Sequence, residues 1–366
     1  MNILVDIGHP GHVHLYRHFI SEMEKRGHRV FVTVKDLAIA RQLLDHFRIR
    51  YHDLGKKHDS LLGKGLSQLQ YNWKVLGIVR KNNIQLGIGS SITLAHISRV
   101  SKMRSIVFDD DDDEVQPLFV KYAHPYCDHL VSPDVLTGKR KRKDTVYYPG
   151  YHELAYLHPN RFTPDESALG EAGLKPGEPF FLMRFNVFKA HHDVGIRGLN
   201  LDQKLRLIRL LEPQGRIIIT TEREIEPELE PYRLRIEPAK VHSLLYYATL
   251  FLGDSQTMTS EAAVLGTPSV RCNSFAGAIS YLEEEEHKYG LTWGFLPHQF
   301  DDLIKRTEQL LSDQALSLKW QEKRARLLED KIDTTAFMVW LAERYPGSFH
   351  EIYRDKDLFR KFQLIT

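Results

Sequence analysis

Three histidines fall within six residues near the start of the chain, in Gly8-His9-Pro10-Gly11-His12-Val13-His14. Imidazoles titrate near neutral pH and suit general acid–base work. The glycines let the backbone turn sharply and approach a ligand, so Gly11 and His14 are candidate substrate contacts beside the catalytic group. The alternative is a tight turn whose histidines cap the next helix. The stretch lacks the helical i, i+4 pairing of a metal site, and no metal is expected.

Three further segments carry chemistry. Asp109-Asp110-Asp111-Asp112-Asp113-Glu114 follows an apolar run at 105–108. Asp109 and Asp110, at the strand's end, are candidates for a base or for a hydroxyl-binding group; the rest is expected to be a solvated loop. After 180–185 come Arg184, Asn186, Lys189, His191, His192 and Asp193. Cations there suit a diphosphate, with His192 as a further substrate contact, and a flexible basic loop is the alternative. In Gly253-Asp254-Ser255-Gln256-Thr257-Met258-Thr259-Ser260-Glu261 an apolar strand ends and a helix opens near Thr257. The free N–H groups at Ser255, Gln256 and Thr257 form an anion site. Glu261, one turn on, suits vicinal ribose hydroxyls. An ordinary strand–helix–strand unit with a serine cap explains the same spacing.

Short apolar runs alternate with amphipathic ones and so position these residues. Strands are expected at 3–5, 30–34, 86–88, 105–108 and 130–131, with helices over 13–25, 37–47 and a longer one through Leu66, Leu69, Trp73, Leu76 and Val79. Pro149-Gly150 punctuates the chain; 151–161 reads as a linker, and Thr163 with Glu166 as a capping box. The rhythm resumes with strands at 180–185, 216–220, 250–252 and 269–271, and turns wholly helical after about Gln299. This is an α/β chain of two doubly wound, Rossmann-like domains, 1–150 and 151–330, with a helical extension over 331–366. Two such sheets face to face would make one central cleft, lined by the loops after the strands.

At the Glu261 segment the sequence resembles glycosyltransferases and sugar-nucleotide epimerases of the GT-B fold. The stretch Pro238-Ala239-Lys240-Val241-His242-Ser243-Leu244-Leu245-Tyr246-Tyr247-Ala248 is similar to the base-flanking loop and helix of non-hydrolysing UDP-N-acetylglucosamine 2-epimerases. Gly11-His12-Val13 resembles the glycine-rich first loop of the peptidoglycan N-acetylglucosaminyltransferase, where the histidine is an acid–base candidate; only His12 aligns with it. Ile3-Leu4-Val5-Asp6-Ile7-Gly8-His9-Pro10 and Tyr148-Pro149-Gly150-Tyr151-His152-Glu153-Leu154 resemble the prokaryotic domain of unknown function family 354, over about residues 1–345. Met183-Arg184-Phe185-Asn186 replaces the epimerases' Thr-x-His-Arg-like motif. The resemblance implies a GT-B glycosyltransferase of envelope polysaccharide or glycan synthesis. It would take a nucleotide-diphosphate sugar, UDP-linked by preference, and a sugar or lipid-linked acceptor. Ser255, Gln256, Thr257 and Glu261 would hold the nucleotide, Arg184 would offset the leaving diphosphate, and His12, Asp109 or Asp110 would act on the acceptor. Epimerisation or hydrolysis of the same donor is the first alternative, and non-catalytic nucleotide-sugar binding the second. No cofactor is implied.

Composition sets the bounds. The 366 residues carry a formal net charge of +2, which argues against a chain-wide nucleic-acid footprint. Cys127 and Cys272 make neither a disulfide framework nor a thiolate zinc pair. Without a signal-like start or a spanning run, a cytoplasmic protein is expected, peripheral at most. Lys139-Arg140-Lys141-Arg142-Lys143 is a solvated loop or, alternatively, a contact for anionic lipid headgroups. Glu283 to Glu286 suits a helix face, and Trp73, Trp293 and Trp340 suit packing.

Overall fold

The structure is a computed structural model that describes residues 1–55, 61–185, 198–221, 225–355 and 357–364, with side chains left out for 61–66. It divides into two compact units, Met1–Arg161 with Lys331–Thr366, and Phe162–Asp330.

The first unit runs β1 (Asn2–Ile7), α1 (Pro10–Lys25), β2 (Arg29–Val34), α2 (Ala38–His46), β3 (Tyr51–Asp53), α3 (Leu61–Lys81), β4 (Leu86–Gly89), α4 (Ile92–Arg99), β5 (Arg104–Phe108), α5 (Pro117–Tyr122), β6 (His129–Pro133), β7 (Val146–Tyr148) and α6 (Leu154–Leu157). Its seven strands form one parallel sheet in the order β3-β2-β1-β4-β5-β6-β7. Near-continuous apolar runs such as Ile3-Leu4-Val5 suit strands covered by helices on both faces. Gly89 lets β4 lie close to β1: a Cβ there would stand 2.7 Å from Leu94 Cδ1 and 3.1 Å from the Asp6 carbonyl. Gly27, at φ +84°, takes the left-handed turn that follows α1.

The second unit runs α7 (Ser167–Glu171), β8 (Phe180–Arg184), α8 (Leu201–Leu211), β9 (Arg216–Thr220), α9 (Val241–Tyr247), β10 (Leu250–Gly253), α10 (Gln256–Leu265), β11 (Ser269–Cys272), α11 (Ser280–His287), β12 (Thr292–Phe295), α12 (Phe300–Leu311) and α13 (Leu316–Asp330). Its parallel sheet has the order β12-β11-β10-β8-β9. The chain then returns to the first unit as α14 (Thr334–Glu343) and α15 (Gly347–Arg354). Both units are doubly wound α/β layers, and the fold is GT-B-like, with long C-terminal helices.

Several local expectations are corrected. Residues 151–161 are no linker: α6 is buried throughout and packs on α1 and α14. Thr334 Oγ1 donates to the Tyr151 carbonyl at 2.9 Å and Thr335 Oγ1 to that of Ala155 at 2.7 Å. The first unit therefore continues past residue 150, to Arg161. The capping box at Thr163 does not form; Asp165 Oδ1 accepts from Ser167 N at 2.9 Å and starts α7 instead. Glu283 to Glu286 do lie on a helix, α11, but not all of them face solvent. Glu285 is buried and accepts from Ser260 Oγ, while Glu286 accepts from Gly294 N at 2.8 Å. Trp293 packs against Trp320, and Trp340 against Phe337 and Phe362, but Trp73 is 74% exposed.

Both cysteines are buried, and burial pushes the Cys127 thiol up to about 11 and that of Cys272 to about 12. The thiolate is the reactive form. An aromatic disulfide reagent at neutral pH is therefore expected to label neither in the native protein and both after denaturation, read as released thiolate absorbance. Rapid native labelling would contradict this burial.

Candidate active site

Sheet order fixes where ligands can sit. In the first unit the order reverses between β1 and β4, and the crevice lies beyond the strands' carboxyl ends. A recess of about 120 Å³ opens there, lined by His12 after β1, Ser90 after β4, Asp109, Asp110, Asp111 and Gln116 after β5, and His152 after β7.

The centre of the recess is a pair that the sequence did not announce. His152 Nδ1 lies 2.8 Å from Asp110 Oδ2. Its Nε2 is buried with no hydrogen-bond partner among the described residues. Burial opposes charge on His152, but the negative charge and hydrogen bond of Asp110 outweigh it and raise the imidazole above its ordinary value. Burial likewise opposes ionisation of Asp110, and the His152 charge and hydrogen bond overcome it and hold the carboxyl low. A carboxylate that accepts a hydrogen bond from Nδ1–H leaves Nε2 as the proton acceptor, the logic of nucleophile-activating dyads. Next to it, burial and the charges of Asp110 and Asp109 push Asp111 up to about 7.

The acidic run is thus no solvated loop, because Arg140 clamps it. Only 2% of Arg140 is exposed. Its guanidinium donates to the carbonyls of Asp109 and Asp111, to Asp113 Oδ1 at 2.8 Å and, through Nε, to Ser132 Oγ at 3.1 Å. Asp109 Oδ2 lies 2.7 Å from His124 Nε2 and 3.1 Å from Arg140 Nη1, and Oδ1 accepts from Gln116. Asp109 therefore anchors the loop, and Asp110 is the carboxylate that meets His152 in the recess. Arg142 also turns inward, to the carbonyls of His124, Cys127 and Asp128. Of the run 139–143, the two arginines thus turn inward while Lys139, Lys141 and Lys143 stay exposed.

His12 lines the recess, in a different chemical state from the one expected. Gly8 N–H donates to its Nδ1 at 3.2 Å. Burial first, then the nearby His9 and His152 charges, lower its pKa to about 3. A neutral imidazole whose Nδ1 accepts presents Nε2–H and acts as a hydrogen-bond donor, as neutral histidines do beside developing negative charge. Gly11 lies inside the first turn of α1 and donates to His9 Nδ1 at 3.2 Å, which makes His9 the helix cap. His14 is buried against Phe47 and Tyr156, away from the recess. Ser90 completes the wall, and its hydroxyl lies 3.0 Å from that of Tyr16 behind it.

The state of His12 has a measurable consequence. Its unfolded imidazole takes a proton near 6.5, and the folded one refuses it until about 3; burial does the same to His18, down to about 4. Between those values the unfolded chain binds more protons, so both groups make stability fall as pH drops from about 6.5. NMR titration should find the His12 ring neutral throughout pH 5–8. A midpoint near 6.5 would return His12 to the role of base.

In the second unit the order reverses between β10 and β8. Gly253 faces Arg184 across that pair, and a Cβ there would stand on the Arg184 carbonyl, so only glycine fits. The half-buried Arg184 is thereby placed on the strand beside the mouth of α10. Ser255 caps that helix by accepting from Met258 N at 3.3 Å; Gln256 is half-buried and Thr257 exposed. Glu261 is buried, and its Oε1 lies 2.9 Å from His242 Nε2. His192 lies outside the described residues. Among the described residues, no cluster of histidine, cysteine or carboxylate side chains has the geometry to hold a metal ion.

His152 was missed although its segment had been singled out, because its partner lies 42 positions away and only the fold joins them.

Comparisons with known proteins bear on the fold and the family. An uncharacterised protein of Methanocaldococcus jannaschii, MJ0665, is 24% identical over 321 residues, spanning 78% of this chain and 86% of that protein. The structure of a putative UDP-N-acetylglucosamine 2-epimerase from Listeria monocytogenes superposes with a TM-score of 0.68 at 13% identity, covering 94% of this chain and 96% of that one. The Streptomyces sp. SF2575 glycosyltransferase SsfS6, complexed with thymidine diphosphate, gives 0.62 at 11% identity over 94% and 99%. Those two likenesses are of fold. A family model described as a protein of unknown function, DUF354, matches residues 1–289, and the chain belongs to that family.

Proposed function

We propose that the protein is a glycosyltransferase that uses a nucleotide-diphosphate sugar, in the synthesis of a polysaccharide or other glycan, with His152 as the base that deprotonates the acceptor hydroxyl. The supporting observation is His152, which lines the recess with Nδ1 held by Asp110 and a buried Nε2 that has no partner among the described residues. The acceptor proton passes to Nε2 as the oxygen attacks the anomeric carbon, and Asp110 stabilises the imidazolium that forms. The anomeric C–O bond breaks and the diphosphate leaves with that electron pair. His12 offers Nε2–H to a substrate oxygen. Ser255, Gln256 and Thr257 take the diphosphate on the helix N-terminus with Arg184 nearby, and Glu261, braced by His242, takes the ribose. Solved structures of similar fold hold UDP or thymidine diphosphate, which supports a nucleotide as ligand.

A second reading rests on Asp111. An acid near neutrality beside an ionised carboxylate is the pairing that epimerisation needs, and a hydrolase would use the same base on water. Incubation of the protein with UDP- and TDP-sugars, with and without a panel of sugar acceptors, separates these readings. Product only with acceptor supports transfer. Turnover of donor alone supports epimerisation or hydrolysis. Binding without turnover in any mixture would leave a nucleotide-sugar-binding protein.

A further inference from the structure

Helix α3 carries two apolar faces. One, Tyr71, Val75 and Val79, packs in the core with Leu4, Leu94, Ile97 and Met103. The other bears Leu69 and Trp73, 59% and 74% exposed. Single exposed apolar residues need no explanation; a joined set does.

His96 of α4 shows that the set is joined. Its Nδ1 lies 3.4 Å from Asn72 Nδ2 on α3, and its Nε2 2.9 Å from the Tyr122 carbonyl at the end of α5. Its ring stands edge-on to Tyr126 at 5.3 Å. The exposed rings of Trp73, Tyr122 and Tyr126 thus belong to segments that meet at one imidazole. Leu118 lies one turn before Tyr122 and is 62% exposed. Val100, also exposed, follows Arg99, whose Nε donates to the Tyr126 carbonyl at 2.6 Å.

Charge selects the occupant. From residue 60 to residue 108 the sequence has seven lysines and arginines and no aspartate or glutamate. Arg80, Arg99, Lys102 and Lys121 are exposed, and Lys121 lies over the Tyr122 ring at 5.3 Å. Apolar side chains, rings with polar edges and these exposed cations match the boundary of a negatively charged leaflet. Among the described residues, no helix is long and apolar enough to cross a membrane. We propose that this face of α3, α4 and α5 docks the protein peripherally on an anionic lipid surface. The inference does not depend on the reaction assigned to the recess. It places lipid contact on this apolar face rather than on 139–143, two of whose five cations, Arg140 and Arg142, turn to internal carbonyls.

Co-sedimentation of the full chain with phosphatidylcholine vesicles, with and without phosphatidylglycerol, tests this. Binding is expected only with the anionic lipid, weakened by salt, with a blue shift of tryptophan emission. Trp73→Ser should abolish the shift and lower partitioning at least tenfold, while its melting curve stays at that of the parent, as an exposed residue allows. Lys121→Gln should lower partitioning about fivefold, the weight of one basic residue near such a surface. Absent binding to anionic vesicles, or parental binding by Trp73→Ser, overturns the proposal. So does a concentration-dependent dimer that Trp73→Ser dissolves without any vesicle binding, which would give the face to a second copy.

Discussion

His152→Gln is expected to lower kcat by about 10²–10⁴-fold, the usual contribution of a positioned base. That is about 3–5 kcal/mol of transition-state stabilisation. Donor affinity should barely change, because the nucleotide contacts are assigned to other residues. Asp110→Asn should approach the same loss, since an amide no longer holds the imidazole with its proton on Nδ1. The pH profile separates chemistry from mere damage. A base must be unprotonated, so activity should rise with pH through the raised His152 value, and Asp110→Asn should move that limb to lower pH. His14→Ala is the control: His14 packs against Phe47 and Tyr156, so stability should fall while the limb stays in place. Full turnover by both His152→Gln and Asp110→Asn would pass the base's role to Asp111.

Arg140→Met should cost about 3–5 kcal/mol of unfolding free energy, the usual result of removing one partner from a buried ion pair. Methionine keeps much of the volume and none of the five donors. Asp109 and Asp113 then lose their guanidinium, and the carbonyls of Asp109 and Asp111 lose their donor. Urea unfolding measures the loss. Arg140→Lys should recover only part of it, because an ammonium cannot fork between two carbonyls and a carboxylate. Burial opposes ionisation of Asp113, but its bonds from Lys141 N and Arg140 hold it below the usual carboxylate range. A depressed carboxyl stabilises above its unfolded value and loses that contribution as pH falls through the folded one. The Arg140→Met deficit should accordingly shrink below about pH 4. A deficit under about 1 kcal/mol would mean that the loop holds itself.

The two sheets were legible because alternation of apolar runs with helical spacing is local information, and the strands at 3–5 and 250–252 need nothing more. The site was legible only where chemistry is local too: Asp110 follows β5 by two residues, and His12 lies in the first turn of the helix that follows β1. The Asp110–His152 bond joins β5's loop to β7's, and sequence spacing holds no trace of it. Arg140 shows the converse failure, since a run of five basic residues has the composition of solvated chain while one member fills the space beneath the acidic loop. Helical periodicity at Leu69 and Trp73 marks an apolar face but not which of two faces the core takes; Tyr71, Val75 and Val79 won because they meet Leu94 and Met103.

The division of the first unit between Met1–Arg161 and Lys331–Thr366 bears on how the chain is made. Helix α14, whose Phe337, Met338 and Leu341 are buried where it packs on α1 and α6, is synthesised after the whole of the second unit. At about 5–20 residues per second, the seven-stranded sheet waits on the order of 10–30 s on the ribosome with the seat of α14 uncovered. The second unit, contiguous in sequence, has no such wait and can complete first. The last part translated therefore closes the first part made, and a chain ended near residue 330 would carry a finished second unit tethered to an open, aggregation-prone first one.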